Sequence, residues 1–193
     1  MANDSTSRFS NRVEDYVKYR PNYPQAVIPL LQNKYRIMKD QLIADIGAGT
    51  GISSRLFLEA GYDVIGVEPN KEMREKSLVL LELYQNFKAI DGTAESTRLD
   101  THSIDVVVAG QAFHWFDSAK TNREFQRILK KGGQIILLWN ERMTKSPFEI
   151  AYDELIVRHG KDYVTVDHRN IDEGKIRTFF NGGNFTLEII ANW

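Results

Sequence analysis

The sequence contains no cysteine, no long apolar run and no excess of charge of one sign. The lack of cysteine excludes disulfides, thiolate metal sites and cysteine nucleophiles, and it is compatible with a reducing cytosol. The longest apolar runs, such as residues 135–139, have the length of a strand and are too short to cross a bilayer. The N-terminal stretch MANDSTSRFSNR lacks the apolar core of a signal peptide. We therefore expect a cytoplasmic protein with no membrane partner and no metal site.

The balance of charge bears on nucleic-acid binding. The 25 basic and 26 acidic residues give a formal net charge of −1, and Lys and Arg are scattered along the chain. Proteins that bind nucleic acid by neutralising phosphates usually carry a basic patch. We therefore expect no nucleic-acid partner. What is present is a chain of 193 residues, 42% of them apolar, which is an ordinary composition for a globular domain.

Strand-like and helix-like patterns alternate along most of the chain. The predicted strands are 42–46, 63–67, 87–90, 105–109, 134–139 and 185–191. The predicted helices are 51–60, 71–83, 118–130, 147–159 and 172–180. Segments such as IDVVVA and QIILLW are apolar on both faces, which is typical of a parallel sheet covered by helices on both sides. The pattern predicts an α/β fold with a doubly wound, mostly parallel sheet.

Two helices are predicted before the sheet. Residues 8–20 place Val13, Tyr16, Val17 and Arg20 at helical spacing, and the segment RPNYP then ends the helix with two prolines. A second short helix is predicted from Gln25 to about Asn33. We therefore divide the chain into an N-terminal helical cap, residues 1–34, and a sheet domain, residues 35–193.

The most informative stretch is LIADIGAGTGISSRLFLEAGYDVIGVEPN, residues 42–70. The segment Gly47–Gly51 follows the first predicted strand and opens a helix, and its glycines let a ligand approach the backbone closely. Glu68 ends the second strand, where a carboxylate can accept both hydroxyls of a ribose. Ligands in such sheets bind beyond the carboxyl ends of the strands. A nucleoside is the predicted ligand, although the same residues could form only a tight turn and a solvated charge.

The spacing of the glycines separates two classes of nucleoside ligand. A dinucleotide fingerprint has glycine at its first, third and sixth positions, whereas here the sixth position is Ile52 and a glycine falls at the fifth. Asp45 directly before the loop would repel a pyrophosphate and would attract an ammonium group. S-adenosyl-L-methionine has a ribose, an ammonium group and no phosphate, so it fits this loop better than a dinucleotide.

Five segments carry a resemblance to a known family. LIADIGAGTG, VIGVEPNKEM, GTAES, IDVVVAGQAFHWFD and RILKKGGQIILLWNE occur in the order and spacing typical of class I S-adenosylmethionine-dependent methyltransferases. The sequence is most similar to the small-molecule branch that contains the ubiquinone-biosynthesis and trans-aconitate methyltransferases. FSNRVEDYVKYRPNYP resembles the helical cap of that branch, and residues 8–140 carry the likeness.

The resemblance implies a Rossmann-like methyltransferase fold, S-adenosyl-L-methionine as cofactor and a small-molecule acceptor. It implies that Asp45 and the glycine loop hold the methionine end and that Glu68 binds the ribose. Met73 would pack near the nucleoside, Thr93 and Ala94 would meet the adenine, and Gln111 would close the pocket. The implied cofactor-binding residues are Asp45, Gly47, Ala48, Gly49, Gly51, Glu68, Met73, Thr93, Ala94 and Gln111. The family often has aspartate where this chain has Thr93, so another group, or the backbone alone, would bind the adenine amino group.

The acceptor side is less specific in the sequence. GQAFHWFD follows the fourth strand, and His114 could position an acceptor or accept its proton, or it could be a structural histidine. Tyr16, Tyr19, Arg20 and Tyr23 cluster in the helical cap. The tyrosines could wall the site and Arg20 could clamp a carboxylate, or the cluster could belong to an ordinary amphipathic helix. We predict His114, Tyr19 and Arg20 as catalytic or positioning residues, for methyl transfer to a carboxylate or hydroxyl acceptor. Residues 140–142 are weaker candidates for the acceptor pocket.

Three alternatives remain open at this point. The first is a nicotinamide-dependent oxidoreductase, which Ile52 and the lack of a recognisable Tyr/Lys pair disfavour. The second is a nucleic-acid methyltransferase, which would need an Asn/Asp-Pro-Pro-aromatic loop or a cysteine. The third is a non-catalytic cofactor-binding protein.

The C-terminal part of the sheet is expected to be incomplete. The resemblance implies seven strands, and the sequence supplies six, the last being 185–191. We expect the final strand to be missing, and self-association through the exposed edge of that C-terminal strand would be one way to cover it.

Overall fold

A computed structural model describes residues 17–141, 144–159, 173–180 and 185–190. Its strands are β1 (Leu42–Ile46), β2 (Asp63–Val67), β3 (Phe87–Ile90), β4 (Ile104–Gly110) and β5 (Leu129–Leu138). Its helices are α1 (Val27–Tyr35), α2 (Ile52–Glu59), α3 (Lys71–Leu80), α4 (Ser118–Ile128), α5 (Pro147–His159) and α6 (Glu173–Phe179). A short 3₁₀ turn, Phe113–Trp115, follows β4.

The five strands form one parallel sheet in the order β3-β2-β1-β4-β5. The chain runs outward from β1 to β3 and then returns to place β4 on the other side of β1. The strand order therefore reverses between β1 and β4, which is where sheets of this kind bind ligands. The predicted α/β class and parallel sheet are confirmed.

The sheet has an apolar layer on each face. On one face Ile43, Val106 and Val108 pack with Phe57 and with residues of α1. On the other face Ala44, Ile46 and Val107 pack with Phe125 of α4. The central strands β1 and β4 are thus buried on both faces, as their sequences predict. Residues 134–138 of β5 are only half-buried, because β5 is the edge strand of the described sheet.

The largest error in the sequence prediction lies between α4 and β5. The predicted helix 118–130 ends at Ile128, and the predicted strand 134–139 begins at Leu129. The helix ends because Leu129 is extended, with φ −70° and ψ 137°, and the last carbonyls of α4 accept from the backbone N–H groups of His102 and Ser103, each at 2.9 Å. Leu129 then pairs with Ile104, and residues 130–133 bulge before pairing resumes at Gln134. Gly132, at φ 81°, allows this bulge.

The predicted strand 185–191 is also wrong over residues 185–190, which form no strand. This segment is held through side chains instead. The Tyr35 hydroxyl donates to Glu188 at 2.5 Å, Lys34 forms an ion pair with the same carboxylate, and Ile190 packs on the layer that contains Ile43. The predicted self-association needed an exposed strand edge, and residues 185–190 do not provide one. Self-association itself stays a prediction.

The other elements agree with the sequence to within a few residues. Ser146 caps α5: its side chain accepts from the Glu149 N–H at 3.2 Å while Glu149 accepts from the Ser146 N–H at 2.8 Å. Of the predicted helix 8–20 only residues 17–20 are described, and of these 17–19 are helical. Residues 8–16, with Tyr16, lie outside the described residues. Among the helices that the structure describes, none is long and apolar enough to span a membrane.

Candidate functional site

The glycine loop connects β1 to α2 at the carboxyl edge of the sheet. Gly47, Gly49 and Gly51 have φ angles of 71°, 56° and 87°, a conformation that other residues rarely adopt. The loop is also tightly packed. A Cβ on Gly47 would lie 2.7 Å from the Ala112 Cβ, and one on Gly51 would lie 2.5 Å from Leu81 Cδ1. The loop therefore needs glycine both for its backbone shape and for space.

Asp45 lies at the end of β1 below this loop and is fully buried. Its Oδ2 accepts hydrogen bonds from the hydroxyls of Ser53, at 2.7 Å, and Ser54, at 2.6 Å. Its Oδ1 is buried and accepts no hydrogen bond from any residue that the structure describes. Burial raises the pKa of Asp45, and the two serines offset part of that rise. A donor bonded to Oδ1 would stabilise the charged carboxylate.

Glu68 lies at the end of β2 and is buried beside the glycine loop. Its Oε2 accepts from the Gly49 N–H at 2.9 Å, and its Oε1 accepts from the Asn70 N–H at 2.8 Å. Burial raises the pKa of Glu68, and these two backbone N–H groups oppose the rise. Each carboxylate oxygen can accept more than one hydrogen bond, so the pair could still accept from two hydroxyls. The side chain predicted to bind a ribose thus also fixes the shape of the loop.

The start of α3 adds a buried apolar side chain to this side of the site. Asn70 caps the helix by accepting from the Met73 N–H at 2.9 Å, and Met73 is buried. Arg74 on the next turn donates to the Glu68 carbonyl oxygen at 2.6 Å. The position of Met73 is compatible with its predicted contact to a nucleoside.

The loop after β3 contains the residues predicted to meet adenine. Thr93 is exposed and pairs with Ser96 through two backbone hydrogen bonds, while Ala94 is buried. Glu124 on α4 holds the far end of the loop. Its Oε1 accepts from the backbone N–H of Thr97 at 2.8 Å and from its hydroxyl at 2.6 Å. The Arg127 guanidinium beside Glu124 lowers the pKa of that carboxyl to about 2.

The turn after β4 covers the glycine loop. Gln111 begins the turn with φ 57°, a strained value for a residue other than glycine. Its N–H donates to the Leu138 carbonyl oxygen at 2.9 Å, and its Nε2 donates to the Asn140 carbonyl oxygen at 2.9 Å. The ring of Phe116 also packs on the loop, since a Cβ added to Gly47 would lie 3.7 Å from it. His114 is half-buried in the same turn, and its ring contacts Trp115.

The N-terminal segment reaches the same edge through Tyr23 rather than through Tyr19 or Arg20. Tyr19 is 70% exposed and Arg20 is exposed, so neither encloses the site in this structure. Tyr23 is buried instead, with 9% of its surface exposed. Asn140 Nδ2 donates to the carbonyl oxygens of Pro21 and Asn22, each at 3.4 Å.

The structure thus joins some predicted residues and leaves others apart. Asp45, the glycine loop and Glu68 form one bonded unit, with Gln111 on the adjacent turn. The positioning roles of Tyr19, Arg20 and His114 stay predictions, and Arg142 lies outside the described residues. Sequence reasoning missed the two serines bonded to Asp45. Their signal is faint: two small hydroxyl residues in the first turn of the helix that follows a buried acid.

The donor set at this edge fits S-adenosyl-L-methionine. Its ammonium group is a cationic donor, and Asp45 Oδ1 is a buried acceptor that lacks a partner among the described residues. The Thr50 hydroxyl in the loop is likewise buried and has no partner in the described part of the chain. Buried polar atoms are normally hydrogen-bonded. A pyrophosphate would fit worse, because it would meet two buried acids, Asp45 and Glu68.

Comparison with known protein families and sequences finds methyltransferases. The sequence model of the family described as methyltransferase domain matches residues 44–137. An uncharacterized methyltransferase of Mycobacterium tuberculosis is 36% identical over 167 residues, covering 84% of this chain and 65% of its own length. An uncharacterized methyltransferase-like protein of Schizosaccharomyces pombe is 30% identical over 155 residues, covering 80% of this chain and 59% of its own length. The chain thus spans less than two thirds of the length of each of these relatives.

Solved structures share the fold. A protein of Methanococcus maripaludis, described as an S-adenosyl-L-methionine-dependent methyltransferase, superimposes with a TM-score of 0.69 at 20% identity, covering 90% of this chain and 80% of that one. The YcgJ protein of Bacillus subtilis gives a TM-score of 0.54 at 26% identity, covering 70% and 58%. At 20% identity the first comparison bears on the fold alone.

Proposed function

We propose that the chain transfers a methyl group from S-adenosyl-L-methionine to a small-molecule acceptor, on the premise that residues 44–137 match the model for methyltransferase domains. The fold is that of S-adenosyl-L-methionine-dependent methyltransferases. The observation that carries the proposal is the bonded unit of Asp45, the glycine loop and Glu68. It offers one buried acceptor for an ammonium group and one carboxylate for ribose hydroxyls at neighbouring strand ends.

The proposed cofactor-binding residues keep the roles that the sequence suggests. Asp45 and the glycine loop bind the methionine end, and Glu68 binds the ribose. Met73 packs against the nucleoside, and the loop of Thr93 and Ala94, held by Glu124, lies beside the adenine. Thr93 is exposed and its backbone pairs with Ser96, so its hydroxyl or the second lone pair of its carbonyl oxygen would accept from the adenine amino group.

When bound, the cofactor supplies a sulfonium-activated methyl group. The acceptor would displace a neutral thioether from the methyl carbon, so the sulfonium would provide the leaving group. The residues of this chain mainly align the reactants, and alignment can be worth about 7–11 kcal/mol. We propose a carboxylate or hydroxyl acceptor beside the turn 111–116, where His114 would take the proton of a hydroxyl. A carboxylate has no proton to lose.

Titration calorimetry with S-adenosylhomocysteine, the demethylated product, tests the proposal. The wild-type protein should bind it, and Glu68→Ala should bind more than tenfold more weakly, because a hydrogen bond to a charged group contributes about 1.5–3 kcal/mol. Glu75→Ala is the matched control, since it removes an exposed acid from α3. It should bind as the wild type does.

Two results would contradict the proposal. One is unchanged affinity in Glu68→Ala, which would remove Glu68 from the site. The other is a thermal midpoint raised by a nicotinamide dinucleotide and not by S-adenosylhomocysteine, because a ligand that binds only the folded state raises the midpoint. That second result would favour an oxidoreductase.

A further inference from the structure

Tyr23 brings a hydroxyl group to the carboxyl end of β4. A Cβ on Gly110 would lie 2.8 Å from the Tyr23 hydroxyl oxygen. Only a glycine at this position leaves room for the phenol. The ring itself belongs to the apolar layer that contains Ile43. Tyr23 therefore has an apolar body in the core and a polar end at the edge of the sheet where the glycine loop lies.

The same point is close to Asp45 through Ser53. The Cβ position on Gly110 lies 2.9 Å from the Ser53 Oγ, and that hydroxyl donates to Asp45 Oδ2 at 2.7 Å. The Tyr23 hydroxyl and Ser53, which bonds to Asp45, thus both lie beside Gly110 at the end of β4. The buried Oδ1 of Asp45, which accepts from no described residue, belongs to this group of side chains.

The backbone before Tyr23 is hydrogen-bonded to this edge. Asn140, two residues after β5, donates to the carbonyl oxygens of Pro21 and Asn22, and it accepts from Gln111 through its own carbonyl oxygen. The hydroxyl of Tyr23 is therefore placed by contacts to the ends of β4 and β5.

We propose that Tyr23 is a cofactor-binding residue whose hydroxyl donates to the carboxylate of the methionine end, while Asp45 faces the ammonium group. This rests on the proposed function. The chemistry of the two groups matches the two charges of an α-amino acid: an anionic acceptor for the cation and a neutral donor for the anion. A phenol can donate to a carboxylate and, unlike a second acid, does not repel it.

The experiment compares two ligands on Tyr23→Phe, which keeps the ring and removes the hydroxyl. S-adenosylhomocysteine has the amino-acid end, and 5′-methylthioadenosine has the same nucleoside without it. Affinity for S-adenosylhomocysteine should fall about tenfold, as expected for a hydrogen bond to a charged group. Affinity for 5′-methylthioadenosine, measured by competition, should change less than about twofold, because that ligand has no carboxylate.

Tyr62→Phe is the matched control. Tyr62 is a buried tyrosine of the same apolar layer, and its hydroxyl donates to the Ile37 carbonyl oxygen at 2.9 Å and accepts from Gln32 at 3.1 Å. This variant should have a lower thermal midpoint and the wild-type ratio of the two affinities. The ratio separates a binding role of a hydroxyl from a structural one.

Each other outcome overturns the inference. If Tyr23→Phe weakens both ligands equally, the hydroxyl acts only through packing of the fold. If it weakens neither, Tyr23 makes no contact with the cofactor. Failure of the wild-type protein to bind S-adenosylhomocysteine would instead overturn the proposed function, so the two failures are distinguishable.

Discussion

The two sides of the carboxyl edge are built from different ranges of the chain. On the cofactor side, formed by residues 45–51 and 67–73, Asp45 bonds to residues eight and nine positions away and Glu68 to residues two and 19 positions away. On the acceptor side, formed by residues 17–22, 112–117 and 138–140, Asn140 bonds to residues 118 and 119 positions away. One side is local in sequence, and the other is assembled from distant segments.

The difference also appears in bond length and burial. The hydrogen bonds to Asp45 and Glu68 measure 2.6–2.9 Å and are buried, whereas those from Asn140 measure 3.4 Å and are exposed. Short buried bonds to a carboxylate contribute more than long exposed ones. The comparison indicates that residues 21–22 are held more loosely than Asp45 and Glu68 on the cofactor side.

The largest effect is expected from filling the glycine loop. Gly47→Ala should lower the free energy of unfolding by about 2–5 kcal/mol, because it adds left-handed strain to a clash with Ala112. Gly61→Ala is the matched control: Gly61 has φ 87°, but a Cβ there meets nothing within 4 Å. It should cost about 1–2 kcal/mol. Equal losses in chemical denaturation would show that packing does not constrain the loop.

An intermediate effect is expected from Asp45→Asn. The binding free energy of S-adenosylhomocysteine should become less favourable by about 1.5–3 kcal/mol, because the ammonium group loses a charged acceptor. A pH dependence should accompany it. Burial raises the pKa of Asp45 in the folded protein, so its contribution to stability is fully present below the unfolded pKa and is lost as pH rises through the folded pKa.

The wild type should therefore gain stability relative to Asp45→Asn as the pH is lowered from neutral through the acid range. Thermal midpoints of both proteins, measured across that range, check the sign. A constant difference between them would mean that Asp45 does not titrate differently in the folded and unfolded states.

The smallest effect is expected from Asn140→Ala on the acceptor side. Loss of the two 3.4 Å hydrogen bonds should lower the free energy of unfolding by less than about 1 kcal/mol. Tryptic cleavage after the exposed Lys18 should nevertheless become faster, because residues 21–22 are no longer held by these bonds.

Asn86 provides the control, since its Nδ2 donates at 2.6 Å to the Tyr62 carbonyl oxygen. Asn86→Ala should leave cleavage after Lys18 unchanged, and a stability loss for Asn140→Ala as large as that for Gly47→Ala would contradict the comparison.

The accuracy of the sequence predictions follows the same division. Strands β2 and β3 were predicted at their observed bounds, and α2 and α3 to within a few residues, because turn glycines and short apolar runs delimit them. The prediction was wrong at residues 129–133 and at 185–190. In both places the observed conformation depends on contacts to residues far away in sequence, Ile104 in the first case and Lys34 and Tyr35 in the second.

The candidate site shows the division residue by residue. The roles of Asp45, Gly47 and Glu68 could be proposed from spacing, since a strand, a glycine turn and a following strand bring them together wherever that unit forms. Tyr19 and Tyr23 could not be distinguished, because both lie on a short aromatic segment and periodicity does not say which one reaches the sheet.

The sequence by itself determined the alternation of strands and helices, the glycine loop and the acid at the end of β2. These features depend on local backbone freedom and on the two periodicities of strand and helix. Only the tertiary structure decided that Tyr23 rather than Tyr19 is buried, that Asn140 joins residues 21–22 to the end of β5, and that residues 185–190 form no strand. The physical reason is that burial and hydrogen bonding between distant segments depend on which surfaces meet, and the order of residues within either segment does not contain that information.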